Sequence, residues 1–158
     1  MTFEDLISDL KNGIGLVRVQ AAAELGKLKD KRAEQVLIDA LADENMAVRN
    51  NAAFALGELR SHASVPRLIA VLGDPEERVR KSAAKALGMI GAANAAAPLV
   101  AVLDKDPSHV VRKSALRSLG QLGGQTALHA VERFVSHADP LLADTAQHAV
   151  ETIRKHQP

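Results

Sequence analysis

A chain of 158 residues, 47% of them hydrophobic and 25% charged, has the balance of a globular protein and the length for one continuous core. Its formal net charge of +1 leaves no global field to hold nucleic acid or an anionic membrane. The absence of cysteine excludes disulfides, thiol catalysis and thiolate metal sites, and three Phe with no Tyr or Trp leave almost no platform for stacking bases or sugars.

The first element is expected over residues 3–11, where Leu6, Ile7 and Leu10 mark one face of a helix that Thr2 can cap. The stretch Met1-Thr2-Phe3-Glu4-Asp5 has neither the basic opening nor the apolar run of a signal peptide, and no apolar run approaches the ~20 residues of a membrane span. The expected location is therefore the cytoplasm.

A repeat follows. Val17-Arg18, Val48-Arg49, Val79-Arg80 and Val111-Arg112 recur at spacings of 31, 31 and 32 residues. Each opens the same helix, helix A, carrying Ala21, Leu25, Gly26 and Leu28, then Ala52, Leu56, Gly57 and Leu59, then Ala83, Leu87, Gly88 and Ile90, then Ala115, Leu119, Gly120 and Leu122. Apolar and small residues at these intervals line one helical face. A short link leads to helix B, marked by Leu37, Ile38 and Leu41, by Leu68, Ile69 and Leu72, by Leu99, Val100 and Leu103, and by Val131 and Val135. Pro66 and Pro98 fall in its first turn, where a missing N–H costs nothing, and Gly91, Gly123 and Gly124 fall in the links.

The last element is a lone helix A over 141–155, aligned by Leu142, Ala146, Ala149, Val150 and Ile153. The pattern predicts an all-α α-solenoid of about five stacked helix pairs, ten helices in a single domain over 1–158.

The string VRNNAAFALGELRSHASVPRLIAVLGDPEER, residues 48–78, resembles a HEAT repeat of the short, Ala-rich kind found in phycobilisome lyases. The resemblance covers the whole chain. It implies a solenoid with helix B on the concave side and helix A on the convex side. It also implies an Asp before helix A and an Arg near its start, here Asp43/Arg49, Asp74/Arg80 and Asp106/Arg112, each six residues apart. The first repeat has Asn12/Arg18 and the last position has His137/Ala143, so both members are lost together. The pair accordingly reads as a structural ladder, each Arg bonding its own Asp or a neighbouring repeat's copy, and not as catalytic machinery.

Some proteins that resemble this repeat are enzymes. Deoxyhypusine hydroxylase carries His-Glu dipeptides that bind two irons, whereas the six histidines here precede Ala63, Val110, Ala130, Ala138, Ala149 and Gln157. His129 and His137 have Arg133 between them, which repels a cation, and His148 lies four residues from Asp144 as a solvated pair. No catalytic residue, metal or cofactor is expected.

Two surfaces are candidates for a partner. On helix B the outward positions include Arg32, Gln35 and Asp39, then Ala63, Pro66 and Ala70, then Ala97 and Ala101, then His129 and Arg133. Small apolar residues in the middle and charges at the ends suit an amphipathic helix or extended peptide, although Ala also lets helices sit close. On helix A, Lys81, Lys85, Lys113 and Arg117 form a basic stripe beside Phe54, suited to an acidic partner or a phosphate backbone, or simply to solvation. The reading is a non-enzymatic scaffold or adaptor that presents the concave helix B surface to a protein or peptide. The alternatives are nucleic-acid or acidic-partner contact through the stripe, and an accessory subunit of a bilin-lyase type. No membrane partner is expected, and the pattern sets no oligomeric state.

Overall fold

The structure is a computed structural model that describes residues 1–157. Ten α-helices follow one another among the described residues: α1 (Phe3–Asn12), α2 (Gly15–Leu28), α3 (Glu34–Ala40), α4 (Met46–Glu58), α5 (Val65–Val71), α6 (Glu77–Ile90), α7 (Ala96–Lys105), α8 (His109–Leu122), α9 (Gly124–Glu132) and α10 (Pro140–Lys155). The even-numbered helices are the helix A copies and the odd-numbered ones the helix B copies. A single 3-10 turn introduces α3, α5 and α7.

The helix starts are capped by short polar side chains. Thr2 and Asp5 form a reciprocal capping box at α1, and Asn45, Ser108 and Asp139 accept first-turn N–H groups of α4, α8 and α10. Helix α6 ends on Gly91 in the left-handed region (φ 76°), a conformation that glycine adopts without steric cost.

The core is a single file of Leu residues between the two layers. Leu25, Leu37, Leu56, Leu68, Leu87, Leu99, Leu116, Leu119 and Leu142 are all fully buried. Each contributes about 1.5–3 kcal/mol by leaving water, and each does so only because a neighbouring repeat covers it.

The two layers are spaced differently. Consecutive even-numbered helices touch along their length, while α3, α5 and α7 scarcely touch one another. Small residues set the difference. A Cβ placed on Gly57 would lie 2.8 Å from the Cα of Ala86, one on Gly120 would lie 3.0 Å from the Cα of Ala149, and one on Gly26 would lie 2.8 Å from the Cβ of Ala55. Polar side chains stitch the same seam: Asn51 donates to the carbonyl of Val19 at 3.0 Å, and Ser118 donates to that of Ala84 at 2.7 Å.

The closely packed even-numbered helices are termed the inner layer, and the splayed odd-numbered helices the outer layer. Arg32, Gln35, Asp39, Ala63, Pro66, Ala70, Ala97, Ala101, His129 and Arg133 lie on the splayed outer layer, and Lys81, Lys85, Lys113 and Arg117 lie on the inner one.

Arginine forks tie the repeats together. Arg18 donates through Nε to Asp43 at 2.8 Å and through Nη2 at 3.1 Å, Arg49 donates likewise to Asp74 at 2.7 and 3.0 Å, and Arg80 to Asp106 at 2.7 and 3.1 Å. Every Arg thus grips the carboxylate of the following repeat. Its Nη1 meanwhile donates to a backbone carbonyl just ahead of its own helix: Gly13, Asp43 or Asp74. The same carboxylates accept the N–H groups of Asn45, Glu76 and Ser108, which fixes the turn into the next even-numbered helix. One side chain from each repeat therefore sets the position of the next.

Arg112 ends the series differently. The aligned position on its far side is His137, so no carboxylate awaits it. Its Nε donates to the carbonyl of Leu103 at 2.9 Å, and its guanidinium lies 5.3 Å from the ring centroid of Phe134. His137 stacks on Phe134 as well, the ring centroids 5.3 Å apart and the planes 9° from parallel. An aromatic quadrupole takes the place of the charge.

Acid should weaken the rungs. Burial opposes the charge on Asp74, but the Arg49 fork and the Glu76 N–H outweigh it and hold the carboxyl below its ordinary value. The folded chain therefore binds this proton less readily than the unfolded chain. The stabilisation is complete above the unfolded carboxylate range, near pH ~4, and is lost as pH falls through the lower folded value. The advantage of the native protein over Asp74→Asn in urea unfolding is expected to shrink as pH falls from about 6 to about 3. An advantage that stays constant would show that the rung does not titrate this way.

Candidate partner-binding surface

On the outer face of each even-numbered helix, one position forms a crest facing away from the core. It is occupied in turn by Ala23, Phe54, Lys85, Arg117 and His148. Lys81 and Lys113 sit one turn earlier beside Lys85 and Arg117, and Arg78 begins the same face of α6. Lys81, Lys85, Arg117 and Arg78 are exposed and Lys113 is half-buried. Among the described residues none of these five cations has a carboxylate within 4.0 Å, whereas Arg18, Arg49, Arg80, Lys29, Arg133 and Arg154 all do.

Phe54 is 41% exposed, and the Lys85 ammonium lies 4.8 Å from its ring centroid. A bulky apolar ring in this place is uncommon on a solvated helix face. The contact aims Lys85 along the crest and joins the basic residues of α6 and α8 to an apolar hollow on α4. That hollow is a groove of about 430 Å³ between α2 and α4. Gly26 and Ala55 form its floor, Phe54 one wall, and the Lys29–Glu58 ion pair lies at its mouth.

The outer layer offers a different surface. Splaying opens a groove of about 520 Å³ between α5 and α7, lined by Ile69, Pro98, Ala101 and, at depth, the Arg80–Asp106 rung. Ala70 lines a smaller one between α3 and α5. The polar ends of this layer are engaged already. Arg32 bonds to Asp30 and reaches Glu4, Gln35 donates to Asp39, and Arg133 pairs with Asp104. The outer candidates thus do not converge on one site.

The histidines are dispersed. His109 bonds Asp139 at 2.5 Å, linking α8 to the start of α10 and holding the Asp139 carboxyl below its ordinary value. His148 approaches Glu151 at 4.0 Å, and not the Asp144 suggested by the four-residue spacing. Among the described residues no three His, Asp or Glu side chains gather as a metal site, and no helix is long and apolar enough to cross a membrane.

Comparison with known proteins agrees with this architecture. A family model of HEAT repeats matches residues 4–76 and 35–120. The chain belongs to the HEAT repeat family. A second model, of the PBS lyase HEAT-like repeat, matches residues 111–137. No curated protein sequence matches the chain.

Among solved structures, one chain of the complex of CpcE and CpcF of phycocyanin lyase from Nostoc sp. PCC7120 is similar at 30% identity and a TM-score of 0.88. The match covers 98% of this chain and 66% of that one, so the present sequence spans a little under two thirds of it. A designed armadillo repeat protein in complex with the peptide (KR)4 is similar at 22% identity and a TM-score of 0.75, covering 96% of this chain and 81% of that one. Human deoxyhypusine hydroxylase is similar at 15% identity and a TM-score of 0.61, covering 97% and 74%. The last two likenesses show the fold alone.

Proposed function

We propose that this HEAT repeat chain is a non-catalytic scaffold that holds a protein or peptide partner against its inner, even-numbered layer. One observation carries the reading: five cations without carboxylate partners share a preformed surface with an exposed Phe and an apolar groove, on the layer that Gly–Ala contacts and Asn51 and Ser118 hold rigid. A surface ordered before binding loses little entropy on binding. The complex of CpcE with CpcF supports the reading, since it shows a similar chain engaged with a protein.

The test compares the two layers. Lys85→Glu with Arg117→Glu reverses the inner crest, and Ala70→Glu with Ala101→Glu places charge on the outer grooves. Affinity capture from the source cell, quantified by mass spectrometry, is expected to keep a partner with the outer variant and to lose it about tenfold with the inner one. Loss with the outer variant alone would move the site to the splayed layer, and identical recovery with both would sink the scaffold reading.

The likeness to the phycocyanin lyase chain favours a second reading, an accessory subunit of a bilin-lyase type. Addition of a free bilin should then shift its absorbance in the presence of the chain. An unshifted spectrum, with and without a captured partner, argues against it.

A further inference from the structure

We infer that the occupant of the inner face is an acidic protein segment carrying one large apolar side chain. The inference rests on the scaffold reading and assigns the partner's chemistry. Lys81 and Lys85 are four residues apart on α6, and Lys113 and Arg117 are four apart on α8. Like charges at this spacing repel across one helical turn. Here two such pairs also sit side by side on neighbouring helices about 8–10 Å apart. Four cations share this small area on a chain whose formal net charge is only +1, and among the described residues no carboxylate lies within 4.0 Å of any of them, Glu77 one turn ahead of Lys81 included. Asp144 follows Lys113 in the same column on α10 without reaching it, and Glu58 on the opposite side is held by Lys29. A row of carboxylates laid along the crest would relieve the repulsion.

The second half of the inference comes from Phe54 and the groove beside it. Lys85 lies over the Phe54 ring, so the charged strip and the apolar hollow between α2 and α4 meet without a gap. The hollow has a floor of Gly26 and Ala55 and room for one Leu, Ile or Phe side chain. A segment with its apolar residue at α4 and its acidic residues over α6 and α8 matches both features in register. Nucleic acid matches less well. Among the described residues the face has one Phe, which Lys85 already covers, and no Tyr or Trp, so unpaired bases have little to stack on.

The test uses the intact chain and fluorescence anisotropy with four labelled probes: a Glu-rich peptide with one central Phe, the same peptide with Phe→Ser, a Lys-rich control peptide, and a single-stranded oligonucleotide of the same charge as the Glu-rich peptide. The Phe-containing peptide is expected to bind best. Raising salt from about 50 to about 300 mM should weaken it severalfold. Lys85→Glu with Arg117→Glu should weaken it about tenfold, and Phe54→Ser should remove the preference for the Phe-containing peptide. Ala70→Glu with Ala101→Glu should change nothing, and circular dichroism shows whether each variant folds. Equal or tighter binding of the oligonucleotide, or acidic peptides that bind no better than a Lys-rich control, overturns the inference. If the acidic peptide fails while capture from the cell still depends on Lys85 and Arg117, the assigned chemistry is wrong and the scaffold reading stands.

Discussion

Arg49→Ala is expected to lower the free energy of unfolding by about 3 kcal/mol, several times the loss at Arg112→Ala. The two arginines occupy matching positions in the repeat. Arg49 holds Asp74, whose side chain is only 7% exposed, and removing the guanidinium would leave that carboxylate buried without its cation. The Glu76 N–H would be its one remaining hydrogen bond, with Arg80 acting only through space. Arg112 bonds a carbonyl and lies over Phe134, so its removal strands no charge and should cost about 1 kcal/mol. Urea unfolding of the two variants side by side measures the contrast. Equal losses would mean that the forks contribute through side-chain packing alone and that the carboxylates are incidental.

Gly57→Leu is the second large effect, with an expected loss of about 3 kcal/mol. The obstacle is backbone: the first added carbon would lie 2.8 Å from Ala86 Cα, an atom that no rotamer change can move. Helices α4 and α6 would have to separate, and separation also stretches the Arg49–Asp74 rung and the bond from Ser82 to Asn50, now 2.8 Å. Gly73 is the control, because a Cβ there meets nothing nearer than a carbonyl oxygen at 3.5 Å. Gly73→Ala should stay within about 0.5 kcal/mol of the native protein. Thermal unfolding followed by circular dichroism separates the two. A Gly57→Leu protein as stable as the native one would show that the close approach of α4 and α6 does not contribute to stability.

These two expectations mark where sequence reasoning reached and where it stopped. The helices were legible because Leu, Ala and Val recur at helical intervals in every copy, from Leu6 through Ile153, and because Thr2, Gly91 and Pro66 punctuate their ends. The six-residue spacing of Asp and Arg was legible as a structural pair but not as a direction. Arg49 reaches both ways, to the backbone carbonyl of Asp43 and to the carboxylate of Asp74, and only the stacking distance between repeats decides which contact is the ion pair.

The close packing of the even-numbered layer was not legible, for a related reason. Gly26, Gly57, Gly88 and Gly120 were visible as a recurring small residue on helix A. That they face Ala55, Ala86, Ser118 and Ala149 of the next copy is a matter of tertiary contact. A column of Gly opposed by a column of Ala and Ser is nonetheless a readable sign of close approach, and it marks the layer that carries the basic stripe as the closely packed one. Phe134 was missed altogether. Its signal was compositional: one of three Phe in the chain falls in the repeat whose ladder Asp is replaced by His137. The candidate surface was legible as two columns of charge beside Phe54, but its lack of internal ion pairs and its apolar hollow depend on which helices lie next to one another.

Lysine footprinting of the partner complex tests the central claim most directly. The free chain and the complex are acetylated under limiting conditions and the modified lysines are counted by mass spectrometry. Lys81, Lys85 and Lys113 are expected to lose most of their reactivity when the partner is bound, while Lys31 and Lys105, at the ends of the outer helices, keep theirs. Undiminished reactivity at the first three, with protection at Lys31 and Lys105, would contradict it.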